Sequence, residues 1–257
     1  MEELKIAVLI SGKGSNLQAI AKECSKKNVP ARIISIISNN PNASGLQIKG
    51  KFKKKVINDK LYDKKGFEFR LQNYLAKLKP DLICLAGFMK ILSSLIIKKW
   101  KNKIINVHPS LLPYGMGRDP VVWAVRYSHP AGVTLHEVSS GVDEGPIYYQ
   151  EEIPYSFPIS AGQLYEKVEK RCWQIFNEKW PSLMDSNYKP KLQQELKDQK
   201  TFKRKDLLED NLLDLEKDIT FRENLLRILA HDFQENLSLE LKYKGKEFLV
   251  KLDIKEK

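Results

Sequence analysis

Ile6-Ala7-Val8-Leu9-Ile10-Ser11-Gly12-Lys13-Gly14-Ser15-Asn16 (residues 6–16) is a short apolar run that breaks into a glycine-rich polar turn. The run reads as a buried strand. Beyond the turn, Leu17, Ile20 and Ala21 keep the i, i+3, i+4 spacing of a helix face. Strand, glycine turn and helix together make an anion site, because the first amides of a helix point outward without partners. Gly14, Ser15 and Asn16 are the candidate phosphate-binding residues, with a purely structural turn as the plain alternative. The turn is not a full dinucleotide fingerprint and lacks the Gly-Lys-Ser/Thr of a Walker loop. Ser15 and Asn16 are expected to cap the helix in either case.

Outward from this stretch, strand-like and helix-like segments alternate. Residues 32–38 form a β-branched run ending in Asn39, Asn40, Pro41 and Asn42; 43–50 read as a short helix and 54–57 as a short strand. An amphipathic helix over 67–78 is stopped by Pro80, a strand follows at 81–86, a helix runs from 93 to 100, and 104–107 is the next strand. This alternation predicts an α/β fold: an open, mostly parallel twisted sheet with helices on both faces. Ligands on such sheets sit beyond the carboxyl ends of the strands. Gly14-Ser15-Asn16, Gly87-Phe88-Met89 and Asn106/His108 all fall there.

Residues 132–150 alternate apolar and polar, and 147–152 form a second extended run, so a β pair is expected to return Asp143 on its connecting loop. A helical period covers 163–184, and Pro181 and Pro190 bracket a hinge. The expected organisation is a catalytic domain over 1–190 and a small α+β appendage over 191–257. The appendage holds a polar run at 191–205, a helix at 219–229 and a hairpin of 237–243 and 248–254.

The chain of 257 residues carries a formal charge of +12. From residue 191 onward 15 Lys/Arg face 15 Asp/Glu, so the whole excess lies on 1–190. The cluster Lys51, Lys53, Lys54 and Lys55 reads as a solvated surface, or as a field that gathers an anionic substrate. No nucleic-acid-binding motif accompanies the charge. No run approaches the roughly 20 apolar residues of a membrane span, and Met1-Glu2-Glu3-Leu4-Lys5 is no signal peptide. Cys24, Cys84 and Cys172 are odd in number and widely spaced, which fits reduced thiols and a cytoplasmic location.

The chemistry concentrates in Asn106-Val107-His108-Pro109-Ser110-Leu111-Leu112-Pro113 and in Asp143-Glu144-Gly145-Pro146. An imidazole exchanges protons near neutrality, an amide suits a developing oxyanion, and a carboxylate orients a histidine or accepts a proton. The plain alternatives are a structural histidine, local turn bonding and a turn cap. Pro109 and Pro113 stiffen the loop around His108. His129 and His136 lack such a setting and read as structural or surface residues; His231, in the tail, is not a candidate. No nucleophile elbow is present, so the trio suits direct attack by an amine on an activated acyl donor. No metal site is expected.

These segments resemble a known family. IAVLISGKGSNLQAI (6–20), LAGFMKILS (85–93), NVHPSLLP (106–113) and GVDEGP (141–146) are similar, in order and spacing, to the glycinamide ribonucleotide members of the 10-formyltetrahydrofolate-dependent formyltransferases. The resemblance covers about residues 5–180. It implies that Asn106, His108 and Asp143 are catalytic and that Gly14, Ser15 and Asn16 hold a substrate phosphate. It further implies that Met89, Lys90, Ile91 and Leu92, with Ser140, Gly141 and Val142, wall the folate pocket, and that the Leu112-Pro113 bond is cis.

The second half departs from that pattern. Gly117-Arg118-Asp119-Pro120-Val121-Val122-Trp123 resembles the Gly-x-x-Pro-x-x-Trp segment of nucleotide-sugar N-formyltransferases, and Cys172 stands where the ribonucleotide enzymes carry an acidic residue. Residues 176–181 and the tail also look sugar-type. Pro109 and Trp123 are therefore assigned to the acceptor pocket. The implied reaction is formyl transfer from 10-formyltetrahydrofolate to a primary amine of a phosphorylated small molecule, with glycinamide ribonucleotide first. A nucleoside-diphosphate-linked amino sugar is second, and a non-catalytic folate-binding protein third. Neither nucleic acid nor membrane is an expected partner. The tail reads as a substrate lid or a dimer element, which leaves a homodimer open.

Overall fold

A computed structural model of the chain describes residues 3–26, 29–184, 189–197, 199–213, 219–233, 239–243 and 245–254, without the side chains of 176, 177 and 180–184. A seven-stranded sheet has the order β3-β2-β1-β4-β5-β7-β8. Its strands are β1 (Leu4–Ile10), β2 (Ala31–Ser38), β3 (Lys53–Val56), β4 (Leu82–Leu85), β5 (Ile104–His108), β7 (Gly132–Glu137) and β8 (Ile147–Glu152). The first five pair in parallel. Chain order reverses between β1 and β4, which makes the carboxyl ends of those two strands the switch point where such sheets bind ligands.

The chain forms two compact units. The first comprises Met1–His108, Leu135–Tyr149 and Cys172–Leu192; the second comprises Pro109–Thr134, Gln150–Arg171 and Gln193–Lys257. Compactness thus does not follow a linear boundary at residue 190, because 109–134 and 150–171 cluster with the tail.

In the first unit, alternate residues of β1 feed two cores, as the two-residue period of a strand requires. Ile6, Val8 and Ile10 pack with Leu17 and Ile20 of α1 (Ser15–Cys24). Ala7 and Leu9 pack with Phe67, Leu71 and Leu75 of α2 (Lys64–Leu78) and with Ile96 of α3 (Ser94–Lys99). These are the predicted helices on both faces. Asp63 caps α2 by accepting from the Gly66 N–H at 2.8 Å, and the helix ends at Lys79 in the left-handed region. The expected helix at 43–50 is a single 3-10 turn, Ser44–Gln47. The edge strand β3 exposes Lys53, Lys54 and Lys55, and charge on an edge discourages further strand pairing.

The second unit contains segments that were not anticipated. α4 (Pro120–Tyr127) buries Val121, Val122, Trp123 and Val125 and packs against α7 (Phe221–His231). β6 (Met116–Gly117) pairs with β9 (Thr201–Phe202), which falls inside the polar run expected at 191–205, and α6 (Arg204–Asp210) starts at the end of that run. Asp210 binds Arg126 through Nε at 3.1 Å and His231 through Nε2 at 3.1 Å, with Arg227 Nε at 3.5 Å. β10 (Leu212–Leu213), β11 (Leu239–Tyr243) and β12 (Lys246–Val250) form a small sheet. β11 and β12 make the expected hairpin, with positions 237, 238 and 244 outside the described residues.

α5 (Ala161–Met184) runs unbroken through position 181, so Pro181 marks no hinge. Among the described residues, no helix is long and apolar enough to cross a membrane. Burial pushes the Cys24 thiol up to about 12 and that of Cys84 well above its ordinary value, which keeps both protonated.

Candidate functional site

Asn106 and His108 close β5, one residue apart on the same face of the strand. The Val138 N–H donates to the Ile104 C=O at 2.8 Å and Asn106 meets His136 at 3.3 Å, so β7 runs antiparallel to β5 with His136 across from Asn106. The loop after β7 doubles back where the Glu137 N–H donates to the Pro146 C=O at 2.8 Å. Gly145 fits this closure because a Cβ there would lie 1.6 Å from the Glu137 oxygen. Asp143 sits on the loop at φ 58, in the left-handed region. That conformation costs a non-glycine residue about 1–2 kcal/mol and aims its carboxylate inward.

Asp143 lies between two imidazoles. Oδ2 is 3.6 Å from His108 Nδ1 and Oδ1 is 3.6 Å from His136 Nε2. The two rings stand edge to face with centroids 6.4 Å apart. All three side chains are largely enclosed: 7% of His108, 14% of Asp143 and 2% of His136 is exposed. The expected trio does converge, and a fourth residue, His136, joins it.

His136 was read as structural or surface; it is buried and in contact with the site. Burial pulls its pKa from 6.5 down to about 4, Asp143 opposing the shift and His108 adding to it. A neutral ring has one N–H, and Nδ1 stands 2.8 Å from the Glu137 C=O, an acceptor only. Nδ1 therefore carries the proton, and Nε2 accepts from the Asn106 amide at 3.3 Å. This fixes Asn106 as a donor, with its second N–H free to meet an oxygen that gains charge.

The phosphate turn holds one correction. Gly14, at φ 72, is the N-cap of α1 and no side chain caps it; Ser15 and Asn16 already lie inside the helix. A Cβ on Gly14 would come within 2.9 Å of Gly45 Cα, so this glycine serves a close backbone approach. Asn16 lines a small cavity with Cys84, Ile105, Val107 and Cys172, and no carboxylate is among its lining residues.

In the 87–92 segment Met89 and Ile91 are exposed at 61% and 67%, whereas the Leu92 side chain is buried in the core, leaving only its backbone for a ligand. Lys90 spends its ammonium on Asp59. Ser140 is exposed, and Gly141 and Val142 are half-buried beside Asp143.

In the second unit, the loop after His108 is tied down from within. Thr134 Oγ1 donates to the Ser110 C=O at 2.7 Å and accepts from the Leu112 N–H at 3.1 Å, and Gln150 donates to the Leu112 C=O at 2.5 Å. The Leu112-Pro113 bond is cis, as the resemblance implied. Pro109 lines a small cavity with Ser110, Tyr114, Pro120 and His129.

Trp123 does not suit the acceptor pocket assigned to it. Its ring is 1% exposed and stacks on Phe202 at 4.2 Å, with Nε1 donating to the Arg118 C=O at 2.9 Å. A ring so enclosed anchors the tail to α4 and offers no open surface to a ligand. Among the described residues, no group of three or more His, Cys, Asp or Glu side chains converges as metal ligands would.

Comparison with known proteins adds to this geometry. The Formyl transferase family matches residues 4–179. A phosphoribosylglycinamide formyltransferase of Haemophilus influenzae is 36% identical over 179 residues, covering 67% of this chain and 83% of that protein. The structure of a phosphoribosylglycinamide formyltransferase from Brucella melitensis superposes with a TM-score of 0.67 at 30% identity, over 74% of this chain and 100% of that one. A sugar N-formyltransferase from Shewanella sp FDAARGOS_354 shares the fold over 99% of both chains, with a TM-score of 0.80 at 19% identity. Against trifunctional purine biosynthetic proteins, the chain spans only 18% of the relative's length.

Proposed function

The chain belongs to the formyl transferase family, and on that premise we propose that it transfers a formyl group from 10-formyltetrahydrofolate to the primary amine of glycinamide ribonucleotide. The observation that carries this reading is the convergence of Asn106, His108 and Asp143 at the end of β5. 10-Formyltetrahydrofolate supplies an electrophilic formyl carbon. The free N–H of Asn106 donates toward the formyl oxygen as it gains negative charge, and His108 stabilises the same oxygen. Asp143 orients His108 and, as the tetrahedral adduct collapses, helps pass the amine's proton to N10 of the folate, so that the bond from the formyl carbon to N10 breaks and tetrahydrofolate leaves.

The binding assignments follow the same logic. Met89 and Ile91, exposed beside the positive-φ Gly87, suit the flat face of a folate ring, with Ser140, Gly141 and Val142 as the facing loop. The outward amides of Gly14, Ser15 and Asn16 suit the acceptor's phosphate. We further propose a cytoplasmic enzyme.

A second acceptor, an amino sugar linked to a nucleoside diphosphate, is favoured by the 117–123 segment and by the absence of a carboxylate at Cys172. Turnover of 10-formyltetrahydrofolate by the full chain, offered glycinamide ribonucleotide and, separately, a dTDP-4-amino-4,6-dideoxy sugar, decides between them. Turnover with the ribonucleotide is expected. Turnover with the sugar alone would transfer the assignment to the second acceptor, and turnover with neither would refute both.

A further inference from the structure

Ser11, the first residue of the phosphate turn, uses every hydrogen-bonding group it has. Its N–H donates to the Gly87 C=O at 3.1 Å, and its C=O accepts from Asn40 Nδ2 at 3.1 Å. Its Oγ accepts from the Met89 N–H at 2.8 Å and donates to Asn39 Oδ1 at 2.6 Å. Because Asn39 presents its oxygen to Ser11, its amide nitrogen is left to donate to the Asp59 carboxylate, which also pairs with the Lys90 ammonium. The bonds therefore run in one direction, from the Met89 N–H through Ser11 and Asn39 to Asp59, and Lys90 closes the ring. Both ends of the relay lie on adjacent residues of one segment. Asn39 is buried, so a break in the chain leaves a polar atom without water to replace its partner.

The relay bridges the carboxyl ends of β1 and β4, the switch point of the sheet. On one side is the turn assigned to the acceptor's phosphate, and on the other the 87–92 segment assigned to the folate. We propose that Ser11 is a positioning residue that couples these two sites, so that filling one fixes the other in its binding conformation. The inference rests on the functional reading above. Ser11 touches neither substrate's reacting atoms in this scheme; it acts through the Met89 backbone and the Asn39–Asp59–Lys90 arm.

Linkage makes the coupling reciprocal and measurable at equilibrium. The experiment is calorimetric titration of the full chain with tetrahydrofolate, which cannot donate a formyl group, with and without saturating glycinamide ribonucleotide. In the wild type and in Ser11→Thr, which keeps the hydroxyl, the ribonucleotide is expected to tighten folate binding about tenfold. In Ser11→Ala and in Asp59→Asn the factor is expected to fall below about twofold, while each ligand alone still binds.

Coupling that survives in both disrupted variants overturns the inference, and so does a wild type that binds both ligands independently. Should Ser11→Ala fail to fold, Asp59→Asn carries the test, since it removes only the charge toward which the relay runs. A wild type that binds neither ligand refutes the functional reading itself, which keeps the two failures distinct.

Discussion

Asn106 and His136 face each other across β5 and β7, amide nitrogen to imidazole Nε2 at 3.3 Å, with the histidine held neutral by burial. The pair makes the orientation of the Asn106 amide, proposed above as an oxyanion donor, depend on the protonation of a residue that need not touch substrate. His136→Phe leaves Asn106 without its acceptor and free to rotate, so kcat/KM should fall about tenfold. His136→Gln, which can accept from Asn106, should recover part of the loss. Steady-state kinetics on both variants are the check, and full turnover by His136→Phe would discard the role.

The same pair predicts an acid sensitivity. An unfolded histidine takes up its proton near 6.5, but in the folded chain His136 resists until about 4. Between those values the unfolded state binds more protons, so stability falls as pH falls through this window, by up to about 3 kcal/mol. Above 6.5 His136 contributes no pH dependence. Denaturant melts of the wild type and His136→Gln from pH 7 to 4 should show the variant with the shallower slope.

His108→Ala and Asp143→Asn should each lower turnover by about two orders of magnitude or more, with folate binding largely intact. Paired kinetics and calorimetry test this. Unchanged turnover in both variants would sink the mechanism.

Gly117→Ala should destabilise the second unit through its backbone. Gly117 sits at φ 90, and a Cβ there would lie 2.2 Å from the Phe202 carbonyl oxygen. A side chain fits neither the angle nor the space, so β6 must part from β9 at a cost of about 2–4 kcal/mol. A thermal melt reads this directly, and an unchanged midpoint would count against the pairing.

Asp210→Asn should cost about 3–5 kcal/mol, because it leaves Arg126, Arg227 and the buried His231 without their shared anion. In the wild type, burial pushes the Asp210 carboxyl up, but the His231 hydrogen bond and the two arginine charges outweigh it and hold the pKa below 3.8. Its stabilisation is thus complete above that value and lost as pH falls below it. Thermal melts at neutral pH should show the variant well below the wild type.

The sheet was legible in the sequence because its central strands are buried on both sides and therefore read as continuous apolar runs, as at Ile6–Ile10 and 83–86. The same property hid α4: six buried residues in a row, from Pro120 to Val125, carry no period that separates helix from strand. α6 lay hidden for the opposite reason, since most of its side chains are exposed and only Leu207 is buried. Asn106, His108 and Asp143 stood out by residue type at strand ends. His136 did not, because alternation in 132–137 suggested one wet face, whereas β7 is an interior strand with Thr134 and His136 as enclosed as Val133 and Leu135. A polar residue on an interior strand must have a partner. That was the signal available.

A nascent chain meets the two interleaved units unequally. Every residue of the first has been synthesised once position 192 is made, whereas the second still awaits its third stretch. Until residues 201–231 are made, α4 lacks both the Phe202 ring that stacks on Trp123 and the helix α7 that packs against it, so its apolar residues stay partly uncovered in the incomplete chain.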